Sequence, residues 1–352
     1  MQGTVTGILS VSCQVDAGDR TYTCKARGRL VESDTGESKP FVVGDRVVFT
    51  ATSEAEGIIE SVLPRHSKLS RRVPDDPHTE HIIASNIDQL LIVASVRQPP
   101  LTAGIIDRYI IAGEAGGLTP IICINKTDLA GSPDEYAAPT DVYVRMGYVV
   151  LATSAKTGVG IEDLRQALKD KSTVLAGHSG TGKSALINAL QPGLKLATGR
   201  VGNRMGEKGR HTTTSVSLLK LDCGGYVVDT PGIREFTLWD IQKQDVAQFF
   251  PQVWELSAKC HMSNCMHMHE PDCAVKDAVR RGELPADRYE SYLRIVETIK
   301  ELAVPRFTDV DHPEQQVAKK QREVSRRTSR QRQRRQARET LADQDEDEEE
   351  KG

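Results

Sequence analysis
A chain of 352 residues, at roughly 150 per domain, has room for two or three domains with cores of their own. Its 46 basic and 49 acidic residues leave a formal net charge of −3, which excludes a chain-wide polycation, and no apolar run reaches the length of a membrane-spanning helix. Met1 leads straight into strand-like sequence with no signal peptide, so a soluble, cytoplasmic protein without a membrane partner is expected.

Residues 1 to about 70 alternate short strand patterns with turns: Gly3 to Leu9, Thr21 to Gly28, Phe41 to Val43, Asp45 to Thr50 and Gly57 to Val62. Gly44-Asp45 is a turn signal, and short strands at this spacing predict a small β-barrel of the OB type over 1–72. Such a barrel is an oligonucleotide platform or a purely structural module. Arg65, Lys68, Arg71 and Arg72, ending at Pro74 and Pro77, read as a basic connector, either solvated or strapped to phosphates.

A doubly wound α/β domain is predicted over 78–245. Gln89 to Ser95 is a continuous apolar run of the kind buried in a parallel sheet, followed by a helix pattern over Ile105 to Glu114 and a strand over Thr119 to Ile124. That strand ends in Asn125-Lys126-Thr127-Asp128. A carboxylate at Asp128 can accept from both the ring N–H and the exocyclic amine of guanine, a donor pair that adenine lacks. By itself the tetrapeptide is equally a polar turn. The strand Tyr148 to Thr153 then runs into Ser154-Ala155-Lys156, which fits a second base-contacting loop with the Ala155 amide facing the guanine carbonyl oxygen.

The strand Thr173 to Ala176 precedes Gly177-His178-Ser179-Gly180-Thr181-Gly182-Lys183-Ser184, with Ala185 opening a helix-like stretch to Leu190. Glycines in this eight-position loop let backbone N–H groups point at phosphate oxygens, and the helix N-terminus adds a favourable dipole. Lys183 is expected at the β and γ phosphates, and Ser184 at Mg²⁺. A charged, glycine-rich tract over Thr198 to Gly209, expected to be mobile, leads into His211-Thr212-Thr213-Thr214. One of these threonines is a Mg²⁺ ligand, Thr213 the favoured one. After strands at Ser215 to Leu221 and Tyr226 to Val228 comes Asp229-Thr230-Pro231-Gly232, where Asp229 suits the Mg²⁺ shell and the Gly232 amide a γ-phosphate contact. Ile233 then stands where a water-positioning glutamine is common; an apolar side chain cannot orient water, so intrinsic turnover should be slow. His211 is the leading candidate for that task, beside the plainer reading of an exposed histidine.

Cys260, Cys265, His267 and Cys273 offer three soft thiolates and one imidazole in a short segment, a donor set that suits closed, structural Zn²⁺. His261 and His269 are alternative ligands. The other cysteines, Cys13, Cys24, Cys123 and Cys223, sit in apolar or strand-like settings and read as packed thiols. Pro285 to Leu302 has the apolar spacing of an amphipathic helix, so 250–310 is predicted as an α-helical zinc-binding domain. Beyond it, ten Lys or Arg against Glu323 give 319–338 a net of +9, and eight acids against Lys351 give 339–352 a net of −7. Residues 315–352 therefore read as a disordered tail, basic and then acidic.

The order of the motifs is inverted, since the guanine-reading Asn125 to Asp128 precedes the phosphate loop of Gly177 to Ser184. A circular permutation explains this, because nucleotide loops on one rigid sheet tolerate new termini. With these elements in order, the chain over residues 1 to about 305 resembles the RsgA (YjeQ/EngC) family of small ribosomal subunit biogenesis GTPases. The resemblance rests on Asn125 to Asp128, Gly177 to Ser184, His211 to Thr214, Asp229 to Gly232, and the Cys/Cys/His/Cys set followed by Glu270-Pro271. It implies an OB barrel, a circularly permuted P-loop GTPase domain and a zinc domain. It also implies binding to the small ribosomal subunit and its rRNA during late maturation, GTP hydrolysis stimulated by the subunit, and release. A monomer using GTP/GDP, Mg²⁺ and one structural Zn²⁺ is expected. Two other readings remain: a GTPase acting on another ribonucleoprotein such as the large subunit, and a non-catalytic GTP-binding RNA scaffold, which Ile233 favours.

Overall fold
The computed structural model describes residues 1–9, 12–27, 40–73, 76–194, 216–229 and 238–299. The expected tail over 315–352 lies outside them, as does the tract 198–209.

Five strands build the N-terminal barrel: β1 (Gln2–Ile8), β2 (Cys13–Asp16), β3 (Thr21–Ala26), β4 (Arg46–Ala51) and β5 (Glu56–Val62). They pair in the order β1-β2-β3-β5-β4, and β4 returns to β1 to close the ring. Period-2 alternation turns Val5, Val15, Tyr22, Cys24, Val47, Phe49 and Ile59 inward, where burial drives closure. The set of strands differs from the expected one. Phe41, Val42 and Val43 are buried, yet they lead into a turn: Gly44 N–H donates to Val5 O (2.8 Å), and Val42 N–H to the Asp45 carboxylate (2.8 Å). Their apolar side chains fill the core from a loop, while β2, only four residues long, was too short to read from periodicity.

The basic connector is instead a hairpin, β6 (Lys68–Val73) against β7 (Asp76–Ser85). Arg65 does not reach for phosphate: its Nε and Nη2 grip both oxygens of fully buried Asp45 at 2.6 and 2.8 Å, and Ser85 Oγ donates to the same carboxylate. Lys68 Nζ is paired with Glu80 at 2.7 Å. The Asp45 carboxylate, gripped by Arg65 and by Ser85 at the end of β7, therefore ties the barrel to the hairpin.

The α/β layer follows as β8 (Gln89–Ser95), α1 (Ala103–Ala115), β9 (Thr119–Asn125), α2 (Asp134–Arg145), β10 (Val149–Ala152), α3 (Ile161–Leu168), β11 (Ser172–Ala176), α4 (Lys183–Leu190), β12 (Ser217–Lys220) and β13 (Tyr226–Asp229). Strands β10-β9-β8-β11-β13 lie side by side and parallel, with β12 antiparallel at the end. Along β8, Leu90 and Ile92 face one core, while Leu91 and Val93 face the other under α3 and α4. Burial on both faces is what demands the continuous apolar run. α2 was not legible, since Pro139 inside it reads as a breaker. Its buried Tyr143 anchors it, donating from Oη to Ala103 O at 3.2 Å.

Strand β1 also pairs with β12, Gly7 opposite Ser217, so the barrel and the α/β sheet are one hydrogen-bonded surface. At the other end α5 (Pro251–Ser257), α6 (Ala274–Arg280) and α7 (Ala286–Thr298) form a helical body. It docks on α1 through a buried ion pair between Arg288 and Asp107, whose carboxylate also accepts from Ser291 Oγ. The Arg288 guanidinium lies 4.2 Å from the centre of the Phe250 ring, which covers the pair with a cation–π contact. Among the described residues no helix is long and apolar enough to cross a membrane.

Candidate nucleotide and metal sites
The predicted nucleotide segments meet at the carboxyl edge of the parallel strands, where ligands bind in open α/β sheets. Gly177 follows β11 directly, and β8 separates β11 from β9, which carries Asn125. The phosphate loop thereby reaches across β8 to Asn125, which hydrogen-bonds Thr181, 56 positions away in the chain. Two glycines allow the approach. Gly177 has φ +143° and a Cβ there would sit 2.1 Å from Val93 O; Gly182 has φ +97° and a Cβ would sit 2.3 Å from Asn125 Nδ2.

Asn125 is 1% exposed and bridges three loops. Its Nδ2 donates to Thr181 O at 2.9 Å, and its Oδ1 accepts from Ala155 N–H at 3.2 Å. Asp128 accepts from Ser154 Oγ at 2.6 Å, with Lys156 Nζ 3.9 Å from its other oxygen. Lys126, in the left-handed region at φ +62°, donates from Nζ to Gln98 O. A ring of hydrogen bonds therefore holds the loops at 125–128 and 154–156 to the phosphate loop.

Within the phosphate loop, His178, Ser179 and Gly180 are exposed and Thr181 is buried. Lys183 folds back over the loop, its Nζ donating to Gly177 O (2.7 Å) and His178 O (2.9 Å). Ser184 and Ala185 open α4 and are partly exposed. Asp229 ends β13, the strand beside β11. The Ser184 hydroxyl is a hard oxygen donor of the kind Mg²⁺ takes. His211, Thr213 and Gly232 lie outside the described residues, as does Ile233.

Sequence reasoning missed the loop after β8. Ser95 Oγ donates to Pro99 O at 2.8 Å, Gln98 O receives Lys126, and a Cβ on Gly180 would lie 3.7 Å from Pro99. The loop is a wall of the site between the base and phosphate segments. Its position at the carboxyl end of a central strand was the available signal.

The second cluster lies between α5 and α6. Ligand atoms of Cys260, Cys265, His267 and Cys273 all fall within 4.8 Å of one another. Cys260 and Cys273 Sγ are 3.9 Å apart, and His267 Nδ1 is 3.5 Å from each. Tetrahedral zinc, with Zn–S of about 2.3 Å and Zn–N of about 2.0–2.1 Å, requires about 3.8 Å between sulfurs and about 3.6 Å between sulfur and nitrogen, so the set fits the ion. The structure selects His267, 2% exposed, over His261 and His269, which are exposed. Burial lowers the His267 pKa and keeps its ring neutral, as a ligand must be. Burial pushes the Cys265 thiol up to about 12, and a bound cation would favour its thiolate.

The loop that holds these residues is itself tied down. Burial would raise Glu270, but its carboxylate accepts N–H bonds from Met266 (2.7 Å), Met268 (2.8 Å) and His269 (3.1 Å), which bring it below the usual value. Tyr292 and Tyr289 of α7 donate to Met266 O and His267 O. The remaining cysteines are packed thiols: Cys13, Cys24 and Cys123 are buried and Cys223 is half-buried.

Comparison with known proteins agrees with this geometry. The RsgA GTPase family model matches residues 62–239, and the RsgA N-terminal domain model matches 2–59. The small ribosomal subunit biogenesis GTPase RsgA of Gemmatimonas aurantiaca is 42% identical over 282 residues, covering 80% of this chain and 91% of that protein. The protein of that name from Shewanella oneidensis is 44% identical over 269 residues, 74% of this chain and 75% of its own. The crystal structure of YjeQ from Thermotoga maritima superposes with a TM-score of 0.66 at 35% identity, over 84% of this chain and 97% of that one. YloQ, described as a circularly permuted GTPase, gives 0.62 at 31% identity, over 86% and 96%.

Proposed function
Since this chain belongs to the RsgA GTPase family and is a GTP hydrolase, we propose that it works on the small ribosomal subunit, binding its rRNA late in maturation and hydrolysing GTP to GDP and phosphate when the subunit stimulates it. The observation that supports this best is the Asn125 side chain, which joins the base-reading loops to the phosphate loop across the permutation. Asp128 selects guanine, and Asn125 with Ser154, Ala155 and Lys156 shapes the base corner. Amides of the loop from Gly177 to Ser184 bind the phosphates, and Lys183 reaches the β and γ oxygens.

Mg²⁺, held by Ser184, Thr213 and the shell of Asp229, would offset charge on the phosphates. His211 orders the attacking water in place of the side chain that Ile233 lacks, and the Gly232 amide reports the γ-phosphate. Cys260, Cys265, His267 and Cys273 would hold one Zn²⁺ as a structural tie. The protein acts in the cytoplasm as a monomer, with the barrel supplying a salt-dependent grip on rRNA. Co-sedimentation tests this reading: a non-hydrolysable GTP analogue should tighten binding to small subunits relative to GDP. Equal binding in the two states would contradict it.

A further inference from the structure
The imidazole of the Cys/His cluster stands on strained backbone. His267 has φ +59°, in the left-handed region that a residue with a side chain enters only at a cost. Three side chains pin the chain on both sides of it. One oxygen of the Glu270 carboxylate accepts from Met266 N–H at 2.7 Å, and the other from Met268 N–H and His269 N–H at 2.8 and 3.1 Å. From α7, Tyr292 Oη donates to Met266 O at 2.9 Å and Tyr289 Oη to His267 O at 2.5 Å. Lys276 Nζ holds the Glu270 carbonyl at 2.8 Å, which fixes the backbone from which the carboxylate reaches.

The ring nitrogen that faces Cys260 and Cys273, 3.5 Å from each sulfur, is Nδ1. Nδ1 is bonded to the ring carbon next to Cβ and so lies close to the main chain; a turn of the neighbouring peptides swings it away from both sulfurs. A carboxylate beside a zinc histidine commonly accepts from the other ring nitrogen. Glu270 grips the backbone instead. We propose that Glu270, with Tyr289 as its counterpart on the carbonyl side, is the positioning residue of the metal site, clamping the 266–269 turn so that left-handed His267 presents Nδ1 to an ion held by the three sulfurs. This rests on the reading of Cys260, Cys265, His267 and Cys273 as a zinc site.

The test uses the full chain, with Zn²⁺ for affinity and Co²⁺ as a coloured substitute. Glu270→Gln keeps the size of the side chain but has one acceptor oxygen in place of two, so at least one of the three N–H bonds is lost. Zn²⁺ affinity, measured by competition with a chelator, should fall on the order of ten- to a hundred-fold, the range for groups that orient a metal ligand. The visible bands of the Co²⁺-loaded variant should shift and weaken as the imidazole leaves the tetrahedral set, whereas a brace that only stabilised the loop would leave those bands in place. Wild-type Zn²⁺ affinity in Glu270→Gln, or weaker binding with wild-type Co²⁺ bands, would overturn the inference. Should Glu270→Gln fail to fold, Tyr289→Phe decides: it deletes the donor to His267 O, and should weaken Zn²⁺ binding and move the bands, while wild-type behaviour in it would overturn the inference. Cys265→Ser separates the two levels: if it loses Zn²⁺ while Glu270→Gln binds like wild type, the site stands and only the role of Glu270 falls. If wild-type protein binds no Zn²⁺, both fall.

Discussion

At the scale of single residues, the proposed guanine reader Asp128 is hydrogen-bonded to Ser154 of a second loop at 2.6 Å. Asp128→Asn replaces two acceptors with an amide that matches xanthine better than guanine. GTP affinity should fall by about 2–4 kcal/mol, roughly 30- to 1,000-fold, while XTP affinity rises; competition binding with the two nucleotides measures both. Lys183→Ala should abolish hydrolysis and weaken nucleotide binding without unfolding, whereas His211→Ala should spare binding and lower stimulated turnover on the order of 10²-fold. Normal turnover in His211→Ala would move the water-ordering role to another group. The nucleotide segments are legible in the sequence because their chemistry fixes both residue type and spacing. The loop at Ser95 to Pro99 was not, since it contributes backbone carbonyls at Gln98 and Pro99, and a carbonyl leaves no mark in a sequence.

At the scale of elements, two short-range devices hold the C-terminal helical body. A Zn²⁺ held by Cys260, Cys265, His267 and Cys273 would add folding energy to the loop between α5 and α6. Cys265→Ser should lose metal by elemental analysis and raise hydrogen exchange over 255–299, with GTP binding nearly intact; wild-type protein purified without zinc would contradict this. The second device is the buried pair of Arg288 with Asp107 under Phe250. Arg288→Ala leaves Asp107 charged and buried, and should destabilise the chain by about 3–5 kcal/mol in chemical denaturation. Arg288→Met with Asp107→Leu should recover most of that loss, because an apolar pair has no charge to desolvate. Sequence periodicity found the amphipathic α7 but not its partner. Asp107 lies 181 positions from Arg288, and nothing local marks a residue as one end of a distant ion pair. The basic connector misled for a related reason: Arg65 and Lys68 look solvated until Asp45, from the turn before β4, and Glu80, from β7, meet them.

For the whole molecule, the permutation decides what is connected to what. It places β12 and β13 late in the chain, with β12 paired to β1 of the barrel and β13 leading toward the helical body. Elements that respond to the γ-phosphate in a GTPase therefore adjoin both flanking modules. By reciprocity, a partner that fixes those modules is expected to bias the nucleotide site, and the nucleotide to bias partner affinity. The inversion of motifs was readable from residue order alone, while the β1–β12 junction was not, because strand pairing across domains follows from tertiary packing. The measurement that bears most directly on this account is GTP turnover with and without purified small and large ribosomal subunits. Small subunits should raise the slow intrinsic rate on the order of 10²-fold or more, the scale of one supplied catalytic group, and large subunits should leave it unchanged. No stimulation by small subunits, or equal stimulation by both, would contradict it.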